Sequence, residues 1–339
     1  MKVIGTIPTI DGLDDEAVRT QIAKGEPAII SGLVTQWPSF ARWSRSYLVE
    51  RVGGVTVSYR QSSSNVHPPL GRRHEHFAPV NRQATLARYL DLMADTPTVF
   101  LDANLVCLYA RRGLANPELA PLHEDVRVPG FLDPASVDTI GLWMSGRGVQ
   151  TRVHYDRNGR HNFNAQLSGR KEVVLIPPDQ SANLYPFPMT SPTYNFSEVD
   201  SSSPDLGAFP GYANVTGFSG TLDAGHMLFL PAFWYHAFTH VGEFNLNLNF
   251  WSDAANVPLS AVALRNEVAT LWAKARDAYG AGPERLAEEL DRQALAWSPA
   301  RSTTDEVLAD AAPATALMPP AFTAPIPVPA APGRGNGDR

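Results

Sequence analysis

Phe244-Asn-Leu-Asn-Leu-Asn-Phe250 alternates apolar and polar residues without a break, which is the two-residue period of a β-strand. Upstream, residues 139–144, 149–155, 163–167, 171–176, 226–230 and 236–241 have the same short, β-branched and aromatic character. Short strands recurring at roughly 8–12 residues with Gly turns predict an antiparallel barrel or jelly roll. One irregular excursion, 177–215, interrupts them. The predicted fold class is mainly β with flanking helices.

Outward from that core the pattern changes. In 14–24, Ala17, Val18 and Ile22 fall at helical spacing and Gly25 supplies a stop. A strand follows at 27–30, and Ser44 is placed to cap a helix over 45–52 that ends at Gly53. Val55, Val57 and Tyr59 alternate as a strand, whereas 61–80, rich in Ser, Pro, His and Arg, reads as a long loop. Beyond Trp251, Leu264, Val268, Leu271, Trp272 and Ala275 share one helical face. A second helix is predicted from Pro283, with Leu286, Leu290 and Trp297 apolar. The expected organisation is an N-terminal α/β region (1–96), a β core (97–254), a helix pair (255–297) and an Ala/Pro-rich tail (298–339) whose composition predicts disorder. The helix pair suits either a homodimer surface or packing on its own domain.

Composition narrows the chemistry. The 339 residues are 44% hydrophobic with a formal net charge of −6. A mildly acidic chain without Lys/Arg blocks argues against nucleic-acid binding. Its first residues lack the apolar run of a signal peptide, and nothing reaches the roughly 18 apolar residues of a membrane span. A cytoplasmic protein is expected. Cys107 is the sole cysteine, so no internal disulfide or thiolate metal cluster can form. Any metal must be held by His and carboxylate, which favours iron, manganese or zinc.

His154 and Asp156 are separated only by Tyr155, and His236 follows 82 positions later. In a strand, residues i and i+2 project to one face, so His154 and Asp156 would both enter a barrel interior. A His from a neighbouring strand completes the two-His-one-carboxylate set. Several other groups have plainer readings. His74 and His76 stand in a predicted loop without a third partner, and His226 and His240 lack a suitably spaced carboxylate. Trp143, Trp234 and Trp251 suit core or pocket walls, and Cys107 an ordinary buried site. Arg157, Arg160 and His161 suit either an anionic-substrate contact or a solvated basic turn.

The stretches Thr151-Arg-Val-His-Tyr-Asp156, Asn162-Phe-Asn-Ala-Gln-Leu-Ser-Gly-Arg-Lys171, Val174-Leu-Ile-Pro-Pro-Asp-Gln180, Leu230-Pro-Ala-Phe-Trp-Tyr-His236 and Leu248-Asn-Phe-Trp251 resemble the JmjC/cupin-like hydroxylases. Within them they are most similar to the asparaginyl-hydroxylase branch, related to the enzyme that hydroxylates hypoxia-inducible transcription factors. The resemblance spans about 27–251, with Gly32-Leu-Val-Thr-Gln-Trp-Pro38 similar to that family's entry segment. It implies a double-stranded β-helix (jelly-roll, cupin/JmjC-like) core and an enzyme using Fe(II), 2-oxoglutarate and O2. His154, Asp156 and His236 match the iron ligands. Lys171 and Thr151 match the residues that hold the distal carboxylate of 2-oxoglutarate, and Asn162 and Asn249 match polar residues beside co-substrate and metal. The implied reaction is hydroxylation of a C–H bond on a protein or peptide side chain. A free amino acid or small natural-product intermediate is the alternative substrate, and a non-catalytic or zinc-binding cupin-like protein the alternative class. Three features depart from the pattern: the basic insertion 157–161, Arg152 where Pro is common, and Phe100 where the family places a tyrosine.

Overall fold

Eight strands wind into two facing sheets: β1 (Val137–Ser145), β2 (Gln150–Thr151), β3 (Arg160–Ser168), β4 (Arg170–Ile176), β5 (Thr216–Asp223), β6 (Met227–Leu230), β7 (Tyr235–His240) and β8 (Asn245–Asp253). Their order is β6-β3-β8-β1 in one sheet and β5-β4-β7-β2 in the other. All these pairings are antiparallel, the connectivity of a jelly roll closed as a double-stranded β-helix. The computed structural model describes residues 1–62, 64–67, 80–96, 98–101, 106–111, 115–157, 159–254, 257, 260–279 and 291–292.

The alternation in β8 sorts two kinds of buried side chain. Leu246, Leu248 and Phe250 join the large apolar cluster outside the barrel. Asn247 and Asn249 point the other way and are also buried, sharing the space between the two sheets with Lys171 and with an apolar cluster that includes Leu228, Leu230 and Phe238. N-terminal elements thicken the first sheet: Thr9–Asp11 and Ala28–Ser31 continue it beyond β6, and Val99–Leu101, Thr56–Gln61 and Val80–Thr85 beyond β1. The predicted helices form with their predicted ends. Asp14 accepts from Glu16 N and Ala17 N ahead of Asp15–Lys24, Gly25 terminates that helix at φ 65°, and Ser44 accepts from Tyr47 N ahead of Arg45–Val52. Leu86–Asp95 adds a helix that buries Leu86, Tyr89, Leu90 and Met93.

Three local expectations are corrected. The strand expected over 149–155 is regular only at Gln150–Thr151; His154 makes isolated bridges to Phe196 and His236. β5, which two glycines hide in the sequence, is a full strand. A Cβ on Gly217 would lie 2.6 Å from Leu175 O and one on Gly220 would lie 3.0 Å from Ile7, so close approach of neighbouring chain selects glycine. The C-terminal helix Ala261–Tyr279 is partly rotated from its expected face: Val268 and Trp272 pack on a buried apolar cluster as expected, but Val262, Arg265, Asn266 and Ala269 are buried more deeply, while Leu271 is 63% exposed. His74, His76, most of the predicted second helix and the tail lie outside the described residues. Among the described residues no helix is long and apolar enough to cross a membrane.

A buried cation rotates that helix. Arg265, fully buried, pairs with Asp291, donates to Tyr194 O at 2.6 Å and donates to Phe187 O. Asp291 in turn accepts from Met189 N at 2.8 Å, and Tyr194 Oη donates to Asn266 at 3.2 Å. The helix is thereby bolted to the excursion between β4 and β5. Arg265→Ala leaves Asp291 and two carbonyls without their buried partner, so chemical denaturation should show a loss of about 3–5 kcal/mol. A change below about 1 kcal/mol would mean that the pair contributes no more than a surface salt bridge.

Candidate metal centre

His154 and His236 are joined through their backbones. His154 N donates to His236 O at 3.0 Å and His236 N to His154 O at 2.7 Å, a reciprocal antiparallel pair that places both rings on one side. Each imidazole is then fixed by its own chain. His154 Nδ1 donates to Arg152 O at 2.7 Å, and His236 Nδ1 to Trp234 O at 3.1 Å. That tautomer leaves both Nε2 lone pairs free. Phe196 stacks on His154 with centroids 4.7 Å apart.

Asp156 lies just past the bridge. Its Oδ2 accepts from Asn162 Nδ2 at 2.9 Å and from Trp251 Nε1 at 3.1 Å, and its Oδ1 sits 3.9 Å from His236 Nε2. One donor atom from each of His154, Asp156 and His236 lies within 4.8 Å of the others. Burial works to raise the Asp156 pKa, but His236, His154 and the Asn162 and Trp251 hydrogen bonds outweigh it and hold the carboxyl below its usual value. Burial and the neighbouring His236 push His154 down, keeping it neutral. Two imidazoles and one carboxylate gathered on one face form a donor set suited to iron, manganese or zinc.

The lumen has a second polar end. Lys171 is 2% exposed; its Nζ donates to Asn247 Oδ1 at 2.5 Å and to Asn164 Oδ1 at 3.3 Å, and lies 5.1 Å above the Phe238 ring. Burial alone pushes this ammonium well below its usual value; no described carboxylate faces it. Thr151 reaches the same stretch of β7 from the other side, its Oγ1 accepting from Phe238 N at 2.9 Å and its hydroxyl proton still available. Trp143 Nε1 is buried without a partner. Its indole stacks on Phe100 at 5.3 Å and lies 6.0 Å from the His240 ring.

Asn162 and Asn249 join these ends. Asn249 Nδ2 donates to Asn162 Oδ1 at 2.9 Å, and Asn247 Nδ2 to Asn249 Oδ1 at 2.6 Å. Both sequence-singled asparagines therefore touch the Asp156 side of the lumen, directly or through one amide. Asn164, Asn247 and the Trp143 N–H were not singled out, although their signal was present: they occupy the polar positions of alternating strands.

The basic insertion is largely spent on structure. Arg160 pairs with Asp138 at 2.7 Å, and Arg111 with Asp253 at 2.7 Å. Arg157 donates to Pro192 O at 3.3 Å and covers the Tyr194 ring. His161 is buried and accepts from Ala232 N at 3.2 Å. Arg152, the other departure, donates to Ser197 O, Glu198 O and Val199 O at 3.0–3.3 Å and so fastens the segment that carries Phe196.

A family model described as "Cupin-like domain" matches residues 14–256. Among curated relatives, the chain is 29% identical over 254 residues to Lysine-specific demethylase JMJ31 of Arabidopsis thaliana, covering 66% of this chain and 45% of that protein. It is 26% identical over 267 residues to Bifunctional peptidase and (3S)-lysyl hydroxylase JMJD7 of Homo sapiens, covering 69% and 79%. It is 27% identical over 254 residues to tRNA wybutosine-synthesizing protein 5 of Gallus gallus, covering 72% and 76%. The chain spans about half the length of several of the curated relatives it matches. None of these names singles out the asparaginyl-hydroxylase branch.

Burial depresses His161 from 6.5 to about 4. Between those values the unfolded chain binds a proton that the folded chain refuses, so this contribution is complete above pH 6.5 and is lost as pH falls toward 4. His161→Gln, which keeps an acceptor for Ala232 N, should lose less melting temperature than the parent between pH 7 and about 4.5. Parallel losses in the two proteins would remove His161 from the acid response.

Proposed function

The chain belongs to the cupin-like domain family, and we infer that it is an Fe(II)- and 2-oxoglutarate-dependent oxygenase that hydroxylates a C–H bond on a protein or peptide side chain. One observation carries this reading: a three-donor metal face and a buried lysine without a counter-charge lie at the two ends of one run of buried asparagines. The donor set of His154, Asp156 and His236 fits Fe(II), with half of an octahedron left open. Lys171, the free Thr151 hydroxyl proton and the orphan Trp143 N–H fit a carboxylate, since each is a donor lacking a charged or complete partner. A zinc-only cupin would have no use for such an anion-ready pocket. The protein-side-chain substrate is supported by relatives named as a lysine-specific demethylase and a lysyl hydroxylase.

In this reading the iron, with 2-oxoglutarate and O2, supplies the oxidising chemistry. The chain supplies position and dryness. His154, Asp156 and His236 would hold the metal, their orientation set by Arg152 O, Trp234 O, Asn162 and Trp251. Lys171 and Thr151 would bind the distal carboxylate, with Trp143 donating where Phe100 carries no hydroxyl. The aromatic walls Phe196, Phe238 and Trp251 limit water, which strengthens each of these polar contacts.

Anaerobic titration with Fe(II) and then 2-oxoglutarate should generate a visible metal-to-ligand charge-transfer band that disappears on admitting oxygen. His154→Ala should weaken Fe(II) binding by more than the roughly 10–100-fold that an outer partner is worth, and abolish succinate production. Retained turnover in that variant would sink the assignment. Lys171→Ala should raise the 2-oxoglutarate Kd about 10–100-fold through loss of a charge-assisted hydrogen bond; an unchanged Kd would remove Lys171 from that role.

A further inference from the structure

Four hydrogen bonds run in series through the lumen, and all point the same way. Lys171 Nζ donates to Asn247 Oδ1, Asn247 Nδ2 to Asn249 Oδ1, Asn249 Nδ2 to Asn162 Oδ1, and Asn162 Nδ2 to Asp156 Oδ2. Every amide is buried, and its two faces are occupied by neighbours of opposite hydrogen-bonding character. An amide turned over would set oxygen against oxygen on one side and N–H against N–H on the other. The direction is fixed from the ends: Lys171 can only donate, and ionised Asp156 can only accept.

Strand register makes the chain possible. Asn164 stands opposite Asn249, and Asn162 opposite Trp251, across β3 and β8; all four side chains therefore share the lumen face. The Asn249 carboxamide spans diagonally to Asn162, and Trp251 adds its N–H to the same Asp156 oxygen.

We propose that Asn247, through Asn249 and Asn162, is a positioning residue by which Lys171 sets the orientation of the Asp156 carboxylate, so that the anion-binding end of the lumen governs the metal-binding end. The proposal rests on the metal reading of His154, Asp156 and His236. With the ladder intact, Asn162 presents an N–H to Oδ2 and leaves Oδ1 directed at the metal face. Without its lysine end, Asn247 Oδ1 loses its donor, and the order of the amides is held from Asp156 alone. A carboxylate at Lys171 would share the ammonium that donates to Asn247, so the co-substrate end and the carboxylate ligand communicate without a moving backbone.

Two variants test this through equilibrium Co(II) binding to the protein without co-substrate, read by titration and by the visible Co(II) spectrum. Lys171→Met removes a cation, and Asn247→Asp adds an anion; by charge alone both should tighten binding of a divalent cation. The ladder requires the opposite. In Asn247→Asp the new carboxylate only accepts, so Asn249 must turn its Nδ2 toward it. Asn162 then turns in response and presents Oδ1, not N–H, to Asp156. Each variant should bind Co(II) about tenfold more weakly, the scale of a lost outer partner, with an altered spectrum and a cooperative melt. The double variant should be no weaker than the worse single one, because one chain is cut twice.

Unchanged or tighter Co(II) binding in Lys171→Met would overturn the ladder, whatever the fate of the second variant, and additive losses would do so equally. Failure of the parent protein to bind Co(II), or parent-like binding in His154→Ala, would instead overturn the metal reading on which the ladder depends.

Discussion

Two backbone hydrogen bonds, exchanged between His154 and His236, set the position of everything else in the site. They replace the regular strand that the sequence suggests with a single bridge, and a bridge so short needs support from outside. Phe196 supplies it on the far side, bridging His154 and stacking on its ring. Ser197 N donates to Val153 O, and Asn195 donates to Tyr155 O. The segment holding Phe196 is secured in turn by Arg152 beneath it and by Arg265 on the C-terminal helix. A long chain of dependence therefore runs from a helix outside the barrel to the orientation of one imidazole.

The barrel was legible because its strands carry a two-residue period, and 244–250 carries it most cleanly. What that period does not encode is the environment of the polar face. Asn247 and Asn249 look like residues turned to water, yet they are buried between Lys171 and the Asp156 network, and Asn245 is buried against the backbone of neighbouring turns. A closed lumen lined with amides and a solvated sheet face leave the same trace in a sequence. β5 was invisible for the converse reason: Gly217 and Gly220 remove the side chains that would have shown alternation, the first because Leu175 O comes too close to admit a Cβ and the second where the Ile7 side chain packs tightly over it. The C-terminal helix misled because its buried stripe includes Arg265 and Asn266, polar residues matched by the excursion, whereas Leu271 faces outward.

At the site, the spacing of His154 and Asp156 pointed to a shared face, although the local geometry is a bridge followed by an irregular turn and not an alternating strand. The distant His236 was a candidate third donor from residue type and its place beside a strand, and the resemblance strengthened it by matching 230–236 to a family segment. The departures from the family pattern also divide in physical terms. Arg152, Arg157 and Arg160 are committed to carbonyls, a carboxylate and a ring face within the fold, and His161 to a backbone N–H. Phe100 is different: it contributes no hydroxyl, but its stacking holds an indole whose N–H has no partner.

The carboxylate of Asp156 has one further consequence, and it concerns denticity. Asn162 and Trp251 both claim Oδ2, so the group can offer a cation a single oxygen. A bidentate grip would require displacing two buried donors at once. Among the described residues the site therefore offers two nitrogens and one oxygen. Calcium, which takes 6–8 oxygen ligands and often a bidentate carboxylate, is poorly served by such a site. A small transition-metal ion with imidazole affinity would be well served, because three donors would anchor it while half its coordination sphere stayed exchangeable. Selectivity among cations is thus written less in the residues that would touch the metal than in the two N–H groups that keep one oxygen away from it.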